Sequence, residues 1–346
     1  MSVRGRSIAL LAAGCVTLLG ARALAFVRTM TRDTAMPLYW VTPKATLEVT
    51  RPPEWFPISP DAVHAAAEAA AAAWSYPTLA CTTVALDIAV GFADSDVVAP
   101  DGHNRIIMRT GAWCRDPVAL TDCHEPSQVA LTTVYSRSRP GAIDDGQIFE
   151  ADVEINDVGY EWAALPDGEF SARDYANAYD LRSALTHEMG HFLGLAHDCV
   201  FPGDPIRFDD SGNVSPDCSE LPAEEAKALL ASTMYPVMKP ADTEWRSLSS
   251  DDTRAACSLY GRETLPIEGW CSVGASRDEA PSLGLLLGTA ALFAAALIAR
   301  SRSASKVRGA RCLDLLQPRQ HRETTHELKV ARTSADGKSS RCRNES

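Results

Sequence analysis

Along this chain the spacing of apolar positions changes several times, and each change marks an element. After Ser59-Pro60-Asp61 an alanine-rich run continues to Trp74. Serine as N-cap and proline at the first helical position predict a helix start there, and Val63, Ala67, Ala70 and Trp74 recur on one face, suited to a core. Val41 to Thr50 is rich in β-formers and flanked by proline, which predicts a first strand; Val84 to Phe92, Arg105 to Arg109 and Val129 to Tyr135 predict further strands. From Ile148 to Ile155 the residues Glu150, Asp152 and Glu154 interleave with apolar ones, so this strand is expected to be half-exposed, as at a sheet edge. A helix is expected from Asp180 through Leu181, Leu185, Met189 and Phe192. A last one follows Ser249-Ser250-Asp251-Asp252 and closes at Leu259-Tyr260, with Gly261 as its stop.

The two ends read differently. Arg4 and Arg6 precede an apolar run from Ile8 to Leu19 and the small residues Ala21, Ala23 and Ala25, the pattern of a signal peptide over residues 1–25, cut after Ala25 or Ala23. Cys15 after Ala13-Gly14 invites a lipoprotein reading, which the short apolar run before it and Ala12 disfavour. Leu283 to Ala299 carries no charge and is followed at once by Arg300, Arg302, Lys306, Arg308 and Arg311. That pairing predicts a transmembrane or sorting segment over 282–299, at the short limit for a span, and a basic cytoplasmic tail over 300–346. The chain before it is then exported and lies outside the cytoplasmic membrane, anchored or sorted by this segment. A buried core helix is the plainer alternative. Trp270-Cys271-Ser272 ahead of the segment resembles the C-terminal sorting regions of bacterial surface proteins, in which such a cysteine marks processing. Between the ends one domain is expected over 36–262, with a spacer over 263–281.

Composition is globular, with 46% hydrophobic and 23% charged residues in 346, enough for one sizeable core. The net charge of −12 hides an asymmetry: residues 26–299 hold 18 bases against 40 acids. Such a field repels a phosphate backbone, so nucleic acid is excluded as a partner of the domain. Six of the ten cysteines lie between Cys81 and Cys257, which suits an oxidising compartment. Of the fifteen ways to pair six cysteines, we expect Cys114 with Cys123 and Cys199 with Cys218, which close short loops, and Cys81 with Cys257 as the remaining pair.

The chemistry concentrates in His187-Glu188-Met189-Gly190-His191-Phe192-Leu193-Gly194-Leu195-Ala196-His197. Residues four apart on a helix stand one turn above each other, so His187 and His191 can present two imidazoles to one ion. Gly194 lets the chain leave the helix in a left-handed turn, and that turn returns His197 as a third ligand. Three neutral imidazoles leave a fourth position open, the arrangement of a catalytic zinc site. Glu188 is placed to act as general base. A polar helix face with unrelated histidines is the bland alternative, which the fixed offsets of Gly194 and His197 disfavour.

With Ala231-Ser232-Thr233-Met234-Tyr235-Pro236 the sequence resembles the metzincin family of zinc metalloproteases, and the Met-Tyr-Pro wording is closest to bacterial matrixin-like catalytic domains. Asp101 to Ile106, Ala151 to Asn156 and Leu248 to Gly261 carry further similarity, so that the resemblance spans most of 37–261. It implies an α+β metzincin (zincin-like) fold. This has a twisted mixed sheet with an edge strand that pairs with extended substrate, two long helices and a C-terminal helix. It also implies Met234 as an apolar floor beneath the zinc. Asp198 after the third histidine is more like the adamalysins, and the interval from His197 to Met234 is longer than in typical matrixins. Met238 stands where the family's main specificity pocket usually has tyrosine, so substrate preference is not inherited. No Pro-Arg-Cys-Gly switch is present, and latency by a cysteine–zinc bond is not expected. Such domains often bind calcium. Asp209-Asp210-Ser211-Gly212-Asn213 could offer oxygens but lacks a full calcium-loop spacing, so a solvated turn is the better reading and calcium is kept without assigned residues.

Three functions compete: an endopeptidase acting on protein or peptide substrates, a non-catalytic surface or adhesion module, and a zinc hydrolase of another bond. Glu188 favours an enzyme, because a binding module has no need of a carboxylate beside an open zinc position.

Overall fold

The computed structural model describes residues 26–262 and 321–330. The expected signal peptide, the spacer, the 282–299 segment and the rest of the tail lie outside the described residues. Among the described residues no helix is long and apolar enough to cross a membrane.

In chain order the elements are β1 (Tyr39–Trp40), β2 (Lys44–Val49), α1 (Pro60–Trp74), β3 (Ala85–Ile88), β4 (Asn104–Arg109), β5 (Cys114–Asp116) and β6 (Thr121–Cys123). There follow β7 (Gln128–Arg137), β8 (Gln147–Asn156), β9 (Glu161–Ala163), β10 (Ala178–Asp180), α2 (Leu181–Phe192), α3 (Ala223–Leu230), β11 (Val237–Met238), α4 (Ser250–Tyr260) and β12 (His321–Val330). The main sheet runs β11-β12-β7-β8-β4-β2-β3, with β1 added beside β8. β3, β2, β4 and β8 are parallel, whereas β7 runs antiparallel to β8. This is a mixed α/β arrangement, compatible with the α+β expectation.

Local chemistry places the helices as expected. The Ser59 hydroxyl accepts from the Ala62 amide with Pro60 in the first turn, and the α1 face of Val63, Ala67, Ala70 and Trp74 is buried. α4 opens on a reciprocal box in which Ser249 and Asp252 each cap the other's amide. Two tryptophans carry the join between the layers. Trp74 Nε1 donates to the Thr186 carbonyl at 2.8 Å and locks α1 to α2, while Trp40 Nε1 donates to the Phe192 carbonyl at 2.7 Å and stacks on the Phe192 ring. All three expected disulfides form, and Cys81–Cys257 ties the segment before β3 to α4.

Three expectations need correction. The Ile148 to Ile155 strand is no edge: β8 lies between β7 and β4, and Glu150, Asp152 and Glu154 are buried. Groups from neighbouring segments meet all three: Glu150 accepts from the Asp101 and Gly102 amides and Asp152 from the Arg105 amide. Glu154 takes Arg109 Nε at 2.7 Å and Arg115 Nε at 3.2 Å. Burial alone would raise the Glu154 carboxyl, but His124, Arg109 and Arg115 outweigh it and hold the group below its ordinary value. The domain also begins before Met36, because Phe26 and Val27 are buried and the Thr29 amide donates to the Gly194 carbonyl at 2.9 Å. Finally, residues 321–330 of the expected cytoplasmic tail form β12, inside the sheet.

Asp152 has a consequence for stability. One of its oxygens accepts from the Arg105 amide at 2.9 Å, and no cation pairs with the carboxyl at hydrogen-bond distance among the described residues. Burial pushes the carboxyl up to about 7. A carboxyl raised in the fold favours folding while it is protonated, below the ordinary range of about 4, and that contribution is lost as pH climbs through 7. Asp152→Asn should therefore raise the melting temperature at pH 8 by about 2–4 °C, for roughly 1 kcal/mol, and change it little at pH 4. Calorimetry at both pH values checks this; equal shifts would show that ionisation is not the cause.

Candidate metal centre

The end of α2 builds the site. Leu193 closes the helix, and Gly194 follows with φ of +90°, the left-handed region. The Leu195 amide then donates to the Gly190 carbonyl at 3.0 Å and the Gly194 amide to the His191 carbonyl at 2.9 Å, the paired bonds of a Schellman closure. The Tyr260 hydroxyl satisfies the Leu193 carbonyl at 2.6 Å. A Cβ on Gly194 would meet the Leu38 carbonyl oxygen at 2.8 Å, so only glycine suits both the angle and the space. Gly194→Ala should destabilise the fold by more than about 1 kcal/mol and weaken metal binding by shifting His197. Thermal melts and a metal titration check this, and wild-type values in both would remove the turn's role.

His187, His191 and His197 are buried and brought together, each offering a ligand atom within 4.8 Å of the others. Their Nε2 atoms stand 3.0 Å, 3.1 Å and 3.3 Å apart. His187 Nδ1 lies against the Thr233 carbonyl and His191 Nδ1 against the Leu195 carbonyl at 2.9 Å. A carbonyl only accepts, so both Nδ1 atoms carry the proton and both Nε2 atoms are lone pairs. Facing lone pairs repel unless a cation sits among them. Tetrahedral bonds of about 2.0–2.1 Å give ligand separations of roughly 3.3 Å, so the spacing fits one small ion. Burial depresses His187 to about 4, against the pull of the Thr233 carbonyl, and holds His191 and His197 well below their ordinary value. Neutral imidazoles are what a metal needs.

Glu188 is also fully buried. The Thr132 hydroxyl, from β7, donates to its Oε2, while Oε1 has no partner. Burial pushes the carboxyl up to about 8, opposed by the Thr132 bond. A carboxyl group with one oxygen held and the other unengaged can accept a proton and give it back.

Met234 lies beneath the helix: a Cβ on Gly190 would meet its sulfur at 2.2 Å. Its segment is fixed by α4. Asp252 accepts from the Thr233 amide at 3.0 Å and from the Ser232 hydroxyl at 3.2 Å, and Ser232 also bonds Asp198. Burial, with Asp252 and Asp251 adding to it, pushes Asp198 well above its ordinary range. Trp245 stacks on the His187 ring at 5.4 Å. Neither a family model nor a curated protein matches this chain. What it does must follow from its own site.

Sequence reasoning named the three histidines, Glu188, Gly194 and Met234, and missed Gly190, Thr132, Trp245 and His326. Gly190 had a signal, since glycine inside a helix costs about 1 kcal/mol and implies a close approach. Thr132 had none, being an ordinary strand former. Among the described residues no second group of three metal-binding side chains converges. In the Asp209 to Asn213 turn, Asp209 Oδ1 is occupied by the amides of Ser211 and Asn213 at 2.9 Å and 2.8 Å.

Proposed function

We propose that the chain is an exported zinc-dependent endopeptidase of metzincin type, closest to the matrixins, which hydrolyses internal peptide bonds of extracellular or periplasmic proteins. What carries this is the convergence of three imidazole Nε2 atoms beside a buried carboxylate whose one oxygen is held and whose other is free. Zinc is the metal best suited to three neutral imidazoles and an open position. Bound there, it would supply Lewis acidity, making water acidic near pH 7 and polarising a carbonyl.

The chain's own groups do the rest. Thr132 fixes Glu188 Oε2 and so aims Oε1. Oε1 takes the proton of the attacking water and returns it to the departing amine nitrogen, the work of a general base turned general acid. The Thr233 and Leu195 carbonyls fix the ring tautomers, as partners of metal-bound histidines commonly do. Three disulfides suit the oxidising compartment that export implies.

Digestion of a mixed peptide library by the purified chain should give internal cleavages that stop when a chelator removes the metal. Zinc-loaded protein with β12 displaced that leaves every peptide intact would overturn the proposal.

A further inference from the structure

A sheet that ended at β7 would present a row of unpaired N–H and C=O groups. Here β12 lies along that row, antiparallel, from His321 opposite Arg137 to Lys329 opposite Gln128. Its other side meets β11 in parallel, with Val237 opposite Lys329, and the Lys329 amide donates to the Pro236 carbonyl at 2.9 Å. A segment remote in sequence thus fills a slot between two parts of the domain.

That slot runs past the metal centre. His326 stands opposite Thr132, whose hydroxyl holds Glu188. The His326 ring stacks on His191, with centroids 4.4 Å apart and planes 15° from parallel. Its Nε2 is 3.0 Å from Thr29 Oγ1, which itself donates to the Leu195 carbonyl at 3.0 Å. Leu328 is fully buried in the apolar cluster that contains Met234, Tyr235 and Met238. Along β12, Thr325 is exposed, His326 buried, Glu327 half-buried and Leu328 buried. The strand turns alternate side chains inward, as β-strand addition requires.

We propose that residues 321–330 are a tethered inhibitor: they fill the slot between β7 and Pro236–Met238, where the peptidase reading puts extended substrate, and so screen His191 and Glu188 from external peptides. Backbone pairing supplies sequence-tolerant affinity, and two positions add selectivity: a flat ring over His191 and an aliphatic side chain in the Leu328 pocket. A tethered strand competes at an effective concentration reaching millimolar, so an external peptide must displace it. The screening role rests on the peptidase function proposed above; the occupancy of the groove does not.

One consequence concerns topology. A single membrane crossing by residues 283–299 would carry 321–330 to the far side, so crossing and pairing exclude each other. Insertion of that segment would strip β12 from the groove.

The test uses the full chain and two variants. Adjacent strand residues point their N–H groups to opposite sides, so Thr324→Pro with Thr325→Pro must delete a donor towards β7. Thr324 is half-buried and Thr325 exposed, so core packing is spared. Leu328→Asp attacks the pocket instead. Hydrogen–deuterium exchange should show residues 128–137 losing protection by about tenfold or more in both variants while α1 stays protected. Hydrolysis of a peptide library should rise by about tenfold in the proline variant. Unchanged protection of 128–137 in the proline variant would overturn the groove assignment. Lost protection with an unchanged, measurable hydrolysis rate would overturn the screening role. Lost protection with no hydrolysis by any zinc-loaded form would leave the occupied groove standing and overturn the peptidase reading instead.

Discussion

Glu188→Gln should cut peptide hydrolysis by at least about 10²-fold, the scale of a lost general base, while fold and metal content stay at wild-type level. Glutamine fills the same volume, and its carbonyl oxygen can still accept the Thr132 hydroxyl. What it lacks is a basic site at the position of Oε1, the oxygen that no protein group engages. The metal should stay because Glu188 is not among the three converging ligands. Circular dichroism, zinc analysis and library hydrolysis on the same preparation separate these effects. Hydrolysis at the wild-type rate would assign the proton transfer to another group.

His191→Ala should do more, abolishing both metal binding and hydrolysis. His191 is the middle of the cluster, with its Nε2 3.0 Å from His187 and 3.1 Å from His197. Two imidazoles remain in the variant, and alanine also removes the ring on which His326 stacks. Loss of an outer partner of a metal ligand costs roughly 10–100-fold in affinity, and loss of the ligand itself should exceed that. Chelator competition measures the loss. Thr233 and Leu195 act through backbone carbonyls that this substitution leaves in place. Wild-type zinc content in His191→Ala would mean that the metal sits elsewhere.

Much of the site was legible because its signal is local. The spacing from His187 to His197 lies on one helix and its closing turn, where offset alone decides which side chains share a face. The Ser59 cap is equally local, and the structure uses it; the helices expected from Asp180 and after Ser249 also form, with those two residues as their caps. The acids of β8 misled for the opposite reason. Alternation of Glu150, Asp152 and Glu154 with apolar residues has the pattern of a half-solvated strand, yet the groups that meet them, the amides of Asp101, Gly102 and Arg105 and the side chains of Arg109 and Arg115, come from other segments. Period reports two faces and not what covers the second.

β12 was hidden more thoroughly. His321 to Val330 is rich in charged and hydroxyl residues and follows a basic stretch, so it reads as a solvated tail. Its place in the sheet depends on pairing with β7, which no local pattern announces. Phe26 and Val27 lie between the expected cleavage point and the expected start of the domain, yet they are buried and residues 27–29 brace the turn that carries His197. α3 went unannounced even though Ala223–Leu230 is built almost wholly from strong helix formers.

Zinc content and peptide cleavage measured together, on the full chain carrying Thr324→Pro and Thr325→Pro, test the central claim most directly. About one zinc per chain is expected, with internal cleavage of library peptides that a chelator stops and added zinc restores. Folded, zinc-loaded protein that cleaves nothing, or cleavage that a chelator leaves untouched, would contradict it.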